Sequence, residues 1–326
     1  MTRGWTHLVT WLVVLTGLGL VVAPSWAPVL LLVGLISSFY PLQVGWRASR
    51  GTGLRAAVAW AYVAAGFALL SQASAWTEVI SSGRPLTGHF TYLSVLATLA
   101  ALISVLNARR PGGGAWAILM TLLVVVFLIP WLEGPGLARK AHGLSRLRLD
   151  APWTLFYGFL VLAGITNYLP TTFGLAAGWL ALGFVAEYVG LTWNEAKPSL
   201  AATIWLIFPW TLSVALWSAL GCGGGTSQNR DGLARAWLWF RNHWGVVWAL
   251  RTQERFNRSA EASGWPVRLA WNGVVSVPGT VGDTTVVPEG ALTTFLGLLR
   301  RFADSDRIQE LVGQPEGASC QRPDVT

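Results

Sequence analysis

The sequence predicts an all-α polytopic membrane protein, with about eight transmembrane helices followed by a small, mainly helical cytoplasmic domain. Three observations carry that reading. Hydrophobic residues make up 53% of the 326 and charged residues only 12%, against about 25% charged in a soluble domain. The apolar residues fall in runs long enough to cross the hydrocarbon core, which takes about 17–25 residues on a helix. Twenty tryptophans are present, and Trp5, Trp26, Trp46, Trp76, Trp131, Trp153 and Trp193 stand at the ends of such runs. There an indole ring meets acyl chains while its N–H meets headgroups.

Taken in order, the runs lie at 5–23, 27–46, 55–76, 88–108, 114–132, 153–170, 172–193 and 199–220. The first follows Arg3 and ends near Ser25-Trp26-Ala27, a small-x-small pattern of the kind a signal peptidase cuts. Pro28 stands just beyond and disfavours cleavage, so the run reads as an uncleaved helix. Pro41, Pro130, Pro170 and Pro209 lie in or at the ends of runs. Pro209 is mid-run and withholds one backbone N–H from its helix. No internal repeat is legible, and with it goes the symmetry argument that identifies many transporters.

Charge sets the orientation. Residues 1–221 carry 12 basic and 5 acidic side chains, a net of +7, and residues 222–326 carry 11 and 10, a net of +1. The excess therefore sits in short loops. Arg3, then Arg47, Arg50 and Arg55, then Arg109 and Arg110 share one side, which the positive-inside rule makes cytoplasmic. Both termini are then cytoplasmic, and the expected location is the bacterial inner membrane. One loop disagrees with alternation: residues 133–152 hold Arg139, Lys140, Arg146 and Arg148 on the outer side. The near-neutral C-terminal region speaks against nucleic acid as a partner.

The domain plan is a bundle over 1–220, a glycine-rich linker over 221–232 (GCGGGTSQNRDG), a C-terminal domain over 233–313 and a disordered tail over 314–326. The linker has glycines but lacks the Gly-Lys-Ser/Thr of a phosphate loop. Beyond it, 231–263 reads as one helix closed by Gly264, 267–277 as a short strand pair, and 289–302 as a helix. Asp304 or Ser305 opens a last short helix that ends at Gly313.

Candidate chemistry is sparse. Glu187 stands inside the seventh run, where a carboxylate is costly and marks a pathway, a proton site or a structural hydrogen bond. Of His7, His89, His142 and His243, the first two fall at opposite ends of spans and cannot ligate one haem, while His89 and His142 could meet on the outer face without any local signal that they do, so interfacial histidines are expected. Cys222 and Cys320 have no metal-site spacing, and neither a metal nor a cofactor is expected. Asn257-Arg258-Ser259 fits the glycosylation triplet, which a cytoplasmic placement would leave unused.

The most informative stretch begins the C-terminal domain. Leu233, Trp237, Phe240, Trp244 and Trp248 recur at helical steps, and the same register continues to Arg251, Arg255 and Arg258. The expectation is an amphipathic interfacial helix. Its tryptophans would lie in the headgroup layer or against the bundle, and its arginines would reach anionic lipid headgroups or an acidic partner protein. The competing reading neutralises those arginines internally with Asp304, Asp306 and Glu310.

Within this stretch, Trp244, Gly245 and Trp248 resemble the WGxxWxxD segment of haem-handling proteins of cytochrome c maturation. Arg251 stands where that segment has its acidic residue, and Leu250 where it has a further tryptophan. Three positions in a tryptophan-rich chain assign no family. The resemblance implies haem handling only as a remote alternative. The leading expectation is a non-catalytic accessory or scaffold subunit of a membrane complex. The other is a transporter or membrane-embedded enzyme that uses Glu187.

Overall fold

The computed structural model describes residues 9–17, 26–80, 87–108, 118, 121–129, 132, 151–192, 198–222, 232–277 and 287–312. The chain divides into two compact units. The first comprises 1–50, 54–108 and 112–225, and the second 51–53, 109–111 and 226–326.

In the first unit the helices are α1 (Ala27–Ser37), α2 (Phe39–Ala48), α3 (Arg55–Ile80), α4 (Thr87–Asn107), α5 (Ala151–Thr166), α6 (Gly174–Thr192) and α7 (Pro198–Cys222). Residues 9–17 and 121–129 are helical too. Three stretches are long and apolar enough to cross a membrane: Val29–Ala48, Arg55–Ala75 and Thr87–Asn107. Ala151–Thr166, Gly174–Gly190 and Leu206–Cys222 are shorter apolar helices. The discordant basic loop, the linker at 223–231 and the tail beyond Val312 lie outside the described residues.

These helices are apolar on all sides because both of their faces meet apolar surroundings. Leu35, Ala64, Ala68, Tyr92, Val95, Tyr157, Phe184 and Phe208 build the interior. Trp11, Val33, Leu155, Phe159, Leu162, Leu175 and Val185 point outward and are more than half exposed. A soluble protein would not present so much contiguous apolar surface, whereas acyl chains cover it without cost. Hydrophobic burial cannot hold helices together in lipid, so close packing and interhelical hydrogen bonds do that work. Ser38 and Ser213 share a 2.7 Å hydrogen bond between α1/α2 and α7. Ser71 and Thr91 do the same at 2.6 Å between α3 and α4, and Ser94 Oγ donates to the Ala64 carbonyl at 2.7 Å. The α6–α7 contact depends on Gly183, where a Cβ would collide with Thr211 Oγ1.

The second unit consists of α8 (Gly232–Ala262), an antiparallel hairpin β1 (Val267–Ala270) and β2 (Gly273–Ser276), α9 (Glu289–Leu299) and α10 (Ser305–Val312). Its core is aromatic. Phe302 packs edge-on against Phe240, Trp244 and Trp248 at centroid distances of 4.8, 5.8 and 5.3 Å. Phe295 meets Trp237 and Phe256 in the same way. Such edge-to-face pairs each add about 0.5–1.5 kcal/mol beyond area burial. Gly51–Gly53 belongs to this unit: Gly51 O accepts from Asp304 N at 2.8 Å, and Gly53 N donates to Phe302 O at 3.0 Å. Arg235 donates to the Leu311 and Val312 carbonyls at 3.0 and 2.9 Å, which satisfies the exposed C-terminal end of α10.

The long helix departs from the single periodic rod that its sequence suggests. Gly245 takes φ 75° and ψ −171°, so α8 is two helical segments joined at that residue. Buried positions continue on both sides of the break. Before it, Leu233, Trp237, Phe240 and Trp244 are buried; after it the buried line runs through Trp248, Thr252, Phe256 and Ala260. The stripe therefore stays apolar to its end, and Arg251, Arg255 and Arg258 stand on the exposed face beside it.

Candidate functional site

Two places in the described residues concentrate polar groups without an evident structural need. They lie in different units and are described separately.

The first is an arginine-lined recess in the second unit. Arg251, Arg255 and Arg258 come from the second segment of α8, and Arg301 from the turn after α9. They surround a cavity of about 310 Å³ that Trp248, Thr252, Leu298 and Phe302 also line, together with one carboxylate, Glu254. Arg258 pairs with Glu254 at 2.7 Å, and both are well exposed, so the pair contributes little to stability. The Arg251 guanidinium lies 5.2 Å from the Trp248 ring centroid. Arg255 and Arg301 have no ion-pair partner among the described residues. The internal neutralisation anticipated from Glu310 is not what forms, because Glu310 pairs with Arg307 instead.

Of the residues singled out in the sequence, Trp248, Arg251, Arg255 and Arg258 thus meet at one recess, and Arg301 joins them unannounced. Trp237 and Trp244 do not. Both are fully buried within the unit, and Trp237 Nε1 donates to the Ala270 carbonyl at 2.8 Å. Their rings are core, which corrects the expectation that they lie in a headgroup layer. Asn257 is also committed structurally: Nδ2 donates to Leu269 O at 2.9 Å, and Oδ1 accepts from Leu269 N at 2.7 Å.

His243 flanks this core. Its Nδ1 lies 2.8 Å from the Trp239 carbonyl, and its ring packs on the Trp239 ring at 5.3 Å. Burial lowers its pKa below the ordinary histidine value. The hydrogen bond to Trp239 opposes that shift, and the Arg307 charge adds to it.

The second place is Glu187 on α6. It is fully buried, and neither carboxylate oxygen has a hydrogen-bond partner among the described residues. It stands one turn beyond Gly183, on the side of α6 that meets α7. Phe184 and Tyr188 flank it, and Tyr157 packs against both, at 6.3 Å in each case. The nearby tyrosine hydroxyls point elsewhere: Tyr157 donates to the Phe184 carbonyl and Tyr92 to the Phe127 carbonyl. Gln72 on α3 is a second interior group, buried with neither its amide nitrogen nor its oxygen hydrogen-bonded among the described residues.

Comparison of the chain with protein-family models, curated proteins and solved structures finds no match. The functional reading therefore rests on these residues alone.

Proposed function

We propose that this chain is a non-catalytic accessory or scaffold subunit of a larger membrane complex. It has about eight spans and lies in the bacterial inner membrane with both termini cytoplasmic. Its C-terminal unit docks through the arginine recess on anionic lipid headgroups or an acidic partner subunit. The single observation behind this reading is the clustering of Arg251, Arg255, Arg258 and Arg301 around one concavity that holds one carboxylate. Like charges repel when gathered in this way, and an anionic partner turns that repulsion into attraction. The helix dipole does not account for them, because its influence fades within the last turn and Arg251 and Arg255 lie before that turn.

Charge reversal tests the reading. Arg251→Glu with Arg255→Glu should leave the membrane protein folded and inserted but strip a stoichiometric partner, or lipid contacts, on purification. If the variant instead unfolds the C-terminal unit, and reversal of Asp304 and Asp306 restores it, the arginines are structural.

A second reading has its own support. Glu187 is a wholly buried carboxylate without a hydrogen-bond partner among the described residues, and such groups in spans mark substrate or proton paths. A transporter or membrane-embedded enzyme would use it directly. Glu187→Gln keeps the shape and removes the acid. Under this reading the variant is produced normally yet fails to complement a strain lacking the protein. Full complementation makes Glu187 a structural polar group.

A further inference from the structure

We propose that the recess lined by Arg251, Arg255 and Arg301 is a binding site for a phosphate group. The inference rests on the docking reading above and names the chemistry of what is docked.

Four features point to phosphate rather than to an acidic segment of protein. The cavity is about 310 Å³, room for one compact headgroup and not for a helix or strand. Its arginine lining comes from two separate elements, α8 and the turn after α9, so cationic residues border it on more than one side. A tetrahedral phosphate offers several acceptor oxygens and nearly two charges to such a set, whereas a carboxylate is satisfied by a single guanidinium fork. The floor is apolar: Trp248 and Phe302 are less than a tenth exposed. That floor lowers the local dielectric and strengthens attraction at the charges above it.

Not all the cations are equally available. Arg258 is held by Glu254, and Arg251 leans on Trp248. Arg255 and Arg301, unpaired among the described residues, are the principal ligands. Arg251 is the third, since a cation–π contact at the mouth yields readily to an anion. Among the described residues Glu254 is the one acidic side chain in the lining, and its charge is offset by its pairing with Arg258.

The phosphate can belong to a phospholipid headgroup or to a soluble compound, and the experiment separates these. The full-length protein is placed in nanodiscs of phosphatidylcholine alone or with phosphatidic acid, and amide exchange is followed over 248–258 and 298–302. Pyrophosphate is then titrated into the phosphatidylcholine sample. Protection by phosphatidic acid identifies a lipid headgroup, and protection by pyrophosphate alone identifies a soluble ligand. Either supports the site, provided that Arg255→Ala with Arg301→Ala weakens apparent binding by about tenfold or more and salt weakens it in the parent. Exchange over α8 outside the recess shows whether the variant is folded.

Absence of protection by both ligands overturns the proposal, as does equal protection of the double variant. If protection is absent but reversal of Arg251 and Arg255 still strips a partner, only the phosphate assignment fails and the docking reading stands. If reversal changes no association and protection is absent, both fall.

Discussion

At Gly245 the backbone adopts φ 75° and ψ −171°, a region that only glycine enters freely, because any Cβ meets the neighbouring carbonyls there. Gly245→Ala should therefore cost the C-terminal unit about 1–3 kcal/mol, read as a lower unfolding temperature of the full-length protein. An unchanged temperature would mean that the helix runs through this residue unbroken. His243 predicts a pH dependence. Burial disfavours its charged form, so the folded state binds its proton less readily than the unfolded chain. The sign follows: the contribution is full above the ordinary histidine value of 6.5 and is lost as pH falls from there toward the lowered folded value. Unfolding followed from about pH 7 to about pH 5 should show stability falling with acid, and His243→Gln should flatten that slope. Glu187 was legible at this scale from its position in an apolar run. Its complete burial was not, since one helix does not reveal which side its neighbours cover.

Between elements, the α6–α7 contact is set by glycine. A methyl at Gly183 meets Thr211 Oγ1 inside contact distance and Phe208 at 3.1 Å, whereas one at Gly178 on the same helix meets nothing within 4 Å. Gly183→Ala is expected to destabilise the bundle by about 1–3 kcal/mol through overpacking. Gly178→Ala should be neutral or stabilising, because alanine favours a helix. Equal thermal shifts for the two variants in detergent would show that α6 and α7 do not approach closely at Gly183. The elements of the second unit follow their sequence signals closely: the hairpin at 267–276, the helix from Glu289 and the short helix from Ser305 all form. Helix periodicity failed at one place, α8, where an isolated glycine inside a strong pattern proved to be a break. A step of three after Trp248 put arginines on the aromatic stripe, while the actual stripe steps by four through Thr252, Phe256 and Ala260.

For the whole molecule, orientation is the first testable quantity. Arg47, Arg50, Arg55, Arg109 and Arg110 stand at the ends of apolar runs, and basic charge close to the ends of spans governs insertion. A reporter fused after residue 221 should therefore appear cytoplasmic, and a periplasmic signal would invert every loop. The sequence by itself determined the solvent, the helical class, the division near the glycine-rich stretch and the polar residues worth watching. Those follow from composition and local periodicity, which depend on neighbours only a few positions away. Tertiary structure alone decided that Trp237 and Trp244 are core while Trp248 borders a recess. It alone brought Arg301 to Arg255 across 46 positions of chain, and buried Glu187 without a hydrogen-bond partner among the described residues. Burial and long-range proximity depend on how elements pack against one another, and a helical pattern records which face is apolar but not what that face will meet.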